Sequence, residues 1–150
     1  MKRAILSCYD KTGVIELARV LREFDVEIIS TTGTLTALRS AGIEAQSIAD
    51  FTGSEEMLDG RVKSLHPAVH AGLLGIHDNK LHVEQMQTHN FKWVDFVAVT
   101  LHPLEQVSIK PGILAEEVIE QIDIGGTAMV RSAAKNFRYV TVAVNAECYS

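Results

Sequence analysis

Strand-like and helix-like runs alternate along this chain, and that alternation constrains its fold more than any other feature. Residues 3–8 form a short apolar run of strand length. Residues 14–24 then place Val14, Leu17, Ala18, Leu21 and Phe24 on one helical face, with Glu16, Arg19 and Arg22 elsewhere. Residues 26–30 read as a second strand, 34–41 as a second helix ending at Gly42, and 43–48 as a short third strand. Residues 80–90 suit a surface helix and 93–100 a buried strand. Residues 114–122 and 127–136 are helical in pattern, and 139–144 make a last strand. Strands separated by helices pair in parallel, so the expected fold is a three-layer α/β domain: a mainly parallel sheet with helices on both faces. Such sheets bind ligands beyond the carboxyl ends of their strands, beside helix N-termini. That rule directs attention to residues 7–13, 31–34 and 101–105.

A chain of 150 residues, 47% apolar and 22% charged, is expected to form one globular domain without staples. It contains no repeat, linker or low-complexity segment. No apolar run reaches the length of a membrane span, and the opening residues are too short for a signal peptide, so no membrane partner is expected. Cys8 and Cys148 lie at opposite ends, without metal-ligand spacing, and point to a reducing cytoplasm. A net charge of −5 argues against general nucleic-acid binding. An anionic ligand would need a locally basic pocket, which Lys11, Arg61, Lys63, Arg131 and Lys135 can supply.

Residues 60–72, Gly-Arg-Val-Lys-Ser-Leu-His-Pro-Ala-Val-His-Ala-Gly, set two cations, a hydroxyl and two imidazoles among glycines and a proline. Glycine lets a ligand approach the backbone and proline fixes loop shape. Ser30-Thr31-Thr32-Gly33-Thr34 leaves a strand and enters a helix, offering hydroxyls and backbone N–H groups to a phosphate; the same residues could equally make a plain N-cap at Thr34. His66 and His70 stand one helical turn apart, but Pro67 intervenes and no third ligand is evident, so no metal site is expected. His102, ahead of Pro103, is either an ordinary loop residue or a general acid–base group suited to neutral pH. Asp123 stands before a helix, where Asp is most often a cap.

Four ordered blocks resemble the inosine-monophosphate cyclohydrolase domain of the bifunctional purine-biosynthesis family. They are Ser7 with Asp10-Lys11-Thr12-Gly13, then Ile29-Ser30-Thr31-Thr32-Gly33-Thr34. The third is Glu56-Met57-Leu58-Asp59-Gly60-Arg61-Val62-Lys63-Ser64-Leu65-His66-Pro67. The fourth runs from Ile122-Asp123-Ile124-Gly125-Gly126 to Arg131-Ser132-Ala133-Ala134-Lys135-Asn136. The likeness extends over residues 3–144 and implies a methylglyoxal-synthase-like fold. It implies ring closure of formylaminoimidazole-carboxamide ribotide to inosine monophosphate (IMP), with loss of water and no cofactor. On this resemblance Lys63, His102, Asp123 and Lys135 are the catalytic set. Ser7, Lys11, Thr31, Gly33, Thr34, Arg61, Ser64 and Gly125 contact a purine ribonucleotide. Lys63 would face the formyl oxygen, Ser64 replaces the usual threonine, and Asp123 would accept the nucleophile's proton. An unbroken helix would carry Lys135 about 15 Å beyond its start, which ranks it below Lys63.

Besides Ser64, four ligand-facing positions depart from the family pattern. Tyr9 replaces a serine, Thr32 a glycine, Thr100 an asparagine, and His102 a tyrosine. A second reading follows from these changes: a purine-nucleotide- or phosphate-binding regulatory domain that has lost catalysis. Methylglyoxal synthase itself is a third reading, but it does not account for residues 60–72. The resemblance ends short of the family domain's usual C-terminal helical segment and includes no transformylase. A homodimer is left open.

Overall fold

The computed structural model describes residues 1–149. In chain order the elements are β1 (Arg3–Cys8), α1 (Val14–Glu23), β2 (Glu27–Ser30), α2 (Thr32–Ser40), β3 (Gln46–Ser47), α3 (Ile48–Thr52) and α4 (Pro67–Leu74). They continue with α5 (Lys80–Thr88), β4 (Phe96–Thr100), α6 (Leu104–Ser108), α7 (Ala115–Glu120), α8 (Ile124–Lys135) and β5 (Thr141–Ala143). A 3₁₀ turn follows at Ala146–Tyr149. The five strands form one sheet in the order β3-β2-β1-β4-β5, and every strand pairing is parallel.

Alternation along β1 explains the three layers, because successive side chains point to opposite faces of a strand. Ala4, Leu6 and Cys8 pack with Val14, Ala18 and Leu21 of α1 and Leu35 and Leu38 of α2. Ile5 faces the other way, where Ile48, Val69, Leu73, Met129 and Ala133 cover the sheet from α3, α4 and α8. Leu38, Leu73 and Met129 are fully buried, and truncating any one to alanine would cost about 2–5 kcal/mol.

Several elements differ from expectation for local reasons. The third strand shrinks to Gln46–Ser47, because the Ser47 hydroxyl caps α3 by accepting from the Asp50 amide at 3.0 Å. Helix α2 starts at Thr32 rather than Thr34: Thr31 takes the extended cap position and Thr34 turns its hydroxyl toward β1. Helix α8 starts at Ile124, because the Asp123 carboxylate accepts the Gly126 amide at 2.7 Å. Residues 67–74, to which the sequence pattern assigns no element, form α4. Pro67 opens it, and the His66 ring caps it by accepting from the Ala68 amide at 3.1 Å.

The chain leaves β1 toward β2 and β3, then crosses back to β4 and β5 on the other side. The carboxyl ends of β1 and β4 therefore flank a topological switch point, where open parallel sheets take their ligands.

Candidate functional site

A cavity of about 610 Å³ occupies that crevice. Ser7, Cys8 and Tyr9 reach it from the end of β1, Thr31 from β2, and Thr100 and His102 from β4. The segments 59–64 and 119–126 complete its wall.

One end is built like an anion cradle. Among the described residues no side chain caps α2, and Thr31, Gly33 and Thr34 of its opening turn line the cavity, which sets the positive end of the helix beside it. Ser7 and Thr31 share a hydroxyl–hydroxyl bond of 2.9 Å. Lys11 donates to the carbonyls of Cys8 and Tyr9, which folds its ammonium over the first turn. The Lys11 nitrogen lies 4.0 Å from where a Cβ on Gly33 would stand. Thr34 lines the cavity, yet it is 1% exposed and its hydroxyl is fully used by Cys8, accepting from the amide and donating to the carbonyl. Its side chain is a clasp between α2 and β1.

The cationic segment is shaped by a tight reversal. Met57 and Val62 pair in an antiparallel bridge, and between them Leu58, Asp59 and Gly60 all adopt positive φ, at 54°, 53° and 87°. Left-handed backbone is uncommon for side-chain-bearing residues, and such strain often concentrates at binding sites. Arg61 leaves this turn and forms a bidentate ion pair with Glu120 on α7. Hydrogen bonding to Glu120, then its charge, holds the Arg61 guanidinium above its ordinary range. The Lys63 ammonium lies 3.5 Å from a carboxylate oxygen of Glu56. Ser64 is 3% exposed and presses on Gly125, where a Cβ would stand 2.3 Å from its hydroxyl. Only glycine fits at 125 without moving Ser64.

Across the cavity Asp123 divides its carboxylate. One oxygen caps α8 through Gly126, and the other lies 3.7 Å from Nδ1 of His102. That separation is too long for a hydrogen bond but close enough for an ion pair when the ring is protonated. Tyr9 packs on the same imidazole, with ring centroids 4.6 Å apart and planes tilted by 50°.

Every residue expected in the catalytic and substrate-binding sets lines the cavity except Lys135, and Arg131, offered as a cation for a basic pocket, does not line it either. The sequence reading placed Lys135 with the catalytic group, and the structure corrects this. Helix α8 runs unbroken over twelve residues, and at ~1.5 Å per residue Lys135 emerges exposed at its far end. The two histidines of residues 60–72 are committed elsewhere. His66 caps α4, while Nδ1 of His70 lies 2.9 Å from the Ser132 hydroxyl. Among the described residues no group of three or more His, Cys, Asp or Glu is arranged to hold a metal ion. Sequence reasoning missed Glu120, 59 positions from its partner Arg61, and Glu56, which it quoted only as part of a motif. The first pairing spans too much chain for spacing to show it, and the second depends on the reversal that folds residues 56 and 63 together.

Comparison with known proteins agrees with this architecture. The family of MGS-like domains matches residues 13–128. The bifunctional purine biosynthesis protein PurH of Roseobacter denitrificans is 52% identical over 149 residues, which is 99% of this chain. PurH of Listeria monocytogenes is 50% identical over 149 residues, and that of Caldicellulosiruptor bescii 49% over 148. The chain spans 28–29% of the length of these relatives. The crystal structure of ForH matches with a TM-score of 0.90 and 32% identity, over 99% of this chain and 74% of that one.

Proposed function

This chain belongs to the MGS-like domain family, and we propose that it acts as an IMP cyclohydrolase, closing the purine ring of formylaminoimidazole-carboxamide ribotide. The observation that carries this reading is a single cavity lined by both an anion cradle and an acid–base group with a nearby lysine. The 49–52% identity to PurH chains supports it, as those proteins are named for purine biosynthesis.

In this reading the ribotide phosphate lies at Ser7, Lys11 and the opening turn of α2, where N–H dipoles and an ammonium favour an anion. The base moiety extends toward Lys63 and His102. The carboxamide nitrogen attacks the formyl carbon, forming the new C–N bond, and negative charge grows on the formyl oxygen. Lys63 stabilises that charge in the transition state. The His102–Asp123 pair removes a proton from the attacking nitrogen and returns it to the oxygen. The C–O bond then breaks, and water leaves with that oxygen, one proton from the carboxamide nitrogen and one from the formamido nitrogen. The reaction is a condensation with no change of oxidation state, so it calls for no redox group. Among the described residues no helix is long and apolar enough to cross a membrane, and the compartment this reading implies is the cytoplasm.

The second reading, a regulatory domain that binds a purine nucleotide without turning it over, draws on the Tyr9–His102 ring pair in the cavity wall. Incubating the purified chain with the formylated ribotide and following IMP separates the two. The cyclohydrolase reading expects turnover that falls roughly a hundredfold or more in Lys63→Met. IMP affinity should weaken far less, because the charge develops mainly in the transition state. Tight IMP binding with no cyclisation above background would establish the regulatory reading instead.

A further inference from the structure

We propose that Glu56 and Thr32 are positioning residues for Lys63, so that the ammonium is held ready without either residue touching the ligand. The inference rests on the cyclohydrolase reading for its kinetic consequence, but not for its geometry.

Glu56 does not line the cavity, yet its carboxylate joins two segments that do. One oxygen lies 3.5 Å from the Lys63 ammonium. The other accepts a hydrogen bond of 3.1 Å from the Thr32 hydroxyl, at the first residue of α2. Thr32 in turn is fixed by its helix, where the Thr36 hydroxyl donates to the Thr32 carbonyl at 3.0 Å. The carboxylate is thus oriented from the cradle side and reaches Lys63 from behind.

Gly60 keeps that path open. A Cβ at this position would stand 2.3 Å from the same Glu56 oxygen and 3.5 Å from the Lys63 nitrogen. The positive φ of Gly60 and the absence of a side chain therefore serve one contact. The side chains of Lys63 and Glu56 are 32% and 39% exposed, and an ion pair so wetted adds little to folding stability. Its effect lies in restraint. A lysine stem has many rotamers, and holding the ammonium in one place before charge develops removes an ordering cost from the reaction.

The test compares Glu56→Gln, Thr32→Val and their double variant with the native chain. Glutamine keeps an acceptor for Thr32 and removes the charge facing Lys63. Glu56→Gln should lower kcat at least ~tenfold, as expected when a catalytic group is slightly misplaced. KM, IMP affinity by calorimetry and the melting temperature should stay near native values. Thr32→Val should give a smaller kcat loss, and the double variant no more than Glu56→Gln alone, because coupled residues are not additive. Unchanged kcat in Glu56→Gln would overturn the proposal, as would equal losses of kcat and IMP affinity. A native chain without turnover would end the cyclohydrolase reading but not this one. Amine-reactive labelling, read by mass spectrometry, would then decide. Lys63 should label several-fold faster in both single variants while other lysines do not change, and an unchanged rate at Lys63 would refute the restraint.

Discussion

The hydroxyl of Thr34 closes on both backbone groups of Cys8, accepting from its amide at 2.9 Å and donating to its carbonyl at 3.0 Å. Cys8 is the last residue of β1, so this clasp sets the distance between the sheet and the first turn of α2. Thr34→Val keeps the shape but leaves the Cys8 amide unpartnered, while the Cys8 carbonyl keeps only its bond from Lys11. The expected loss is on the order of 1–3 kcal/mol in urea denaturation. Thr34→Ser should stay close to the native chain. A valine variant of native stability would mean that the Cys8 amide finds another partner.

His102 and Asp123 should act as one unit. His102→Phe is expected to reduce turnover by roughly 10²–10⁴-fold, the usual contribution of a placed acid–base group. His102→Tyr supplies a phenol in its place and should lose less. Asp123→Asn isolates the chemistry, because asparagine caps a helix as well as aspartate and so preserves the bond to Gly126. Its turnover should fall with its melting temperature held. Steady-state assays of the three variants suffice, and near-native rates in Asp123→Asn would remove the carboxylate from the reaction.

His70 predicts a pH dependence of stability. Burial pushes its imidazole below the ordinary value, and the Ser64 backbone, short of hydrogen-bond geometry, opposes the shift less. The folded state therefore binds fewer protons here than the unfolded chain. The contribution is fully present above the unfolded value of ~6.5 and is lost as pH falls from there toward the lower folded value. Denaturation midpoints measured across this window should decline on acidification, and His70→Asn should flatten part of that slope. An identical slope in the variant would place the titration elsewhere.

The order of elements and the sheet type were legible because β1, α1 and β4 carry clear periods over enough residues. Helix α4 was not, since Ala68, Val69, Gly72 and Leu73 are all buried and its sequence is apolar nearly all round. A helix buried on most sides has no amphipathic signature. Its cap is a histidine ring, which is not among the usual cap residues. At the site, the strand-end rule located the cavity, while the family blocks named most of its wall. What stayed hidden were side-chain commitments between distant segments: Thr34 to Cys8, Arg61 to Glu120, Thr32 to Glu56. Each depends on how two loops meet in space, and spacing along a chain carries no trace of that. Lys135 is a case between: the rise of an unbroken helix ranks it below Lys63, and only the straight course of α8 takes it off the cavity wall.

The reversal at residues 58–60 leaves the chain short of its attainable stability. Leu58 and Asp59 carry side chains in left-handed backbone, at a cost of about 1–2 kcal/mol per residue, and Leu58 also projects 70% exposed into solvent. Asparagine tolerates this conformation better than leucine does, so position 58 offers a simple engineering gain with no core to repack. That the native sequence forgoes it puts the reserve beside the arginine and lysine that the same turn aims. A thermostabilised version of this domain is therefore best sought at Leu58 first, with turnover followed alongside, because a relaxed turn would also be free to aim them differently.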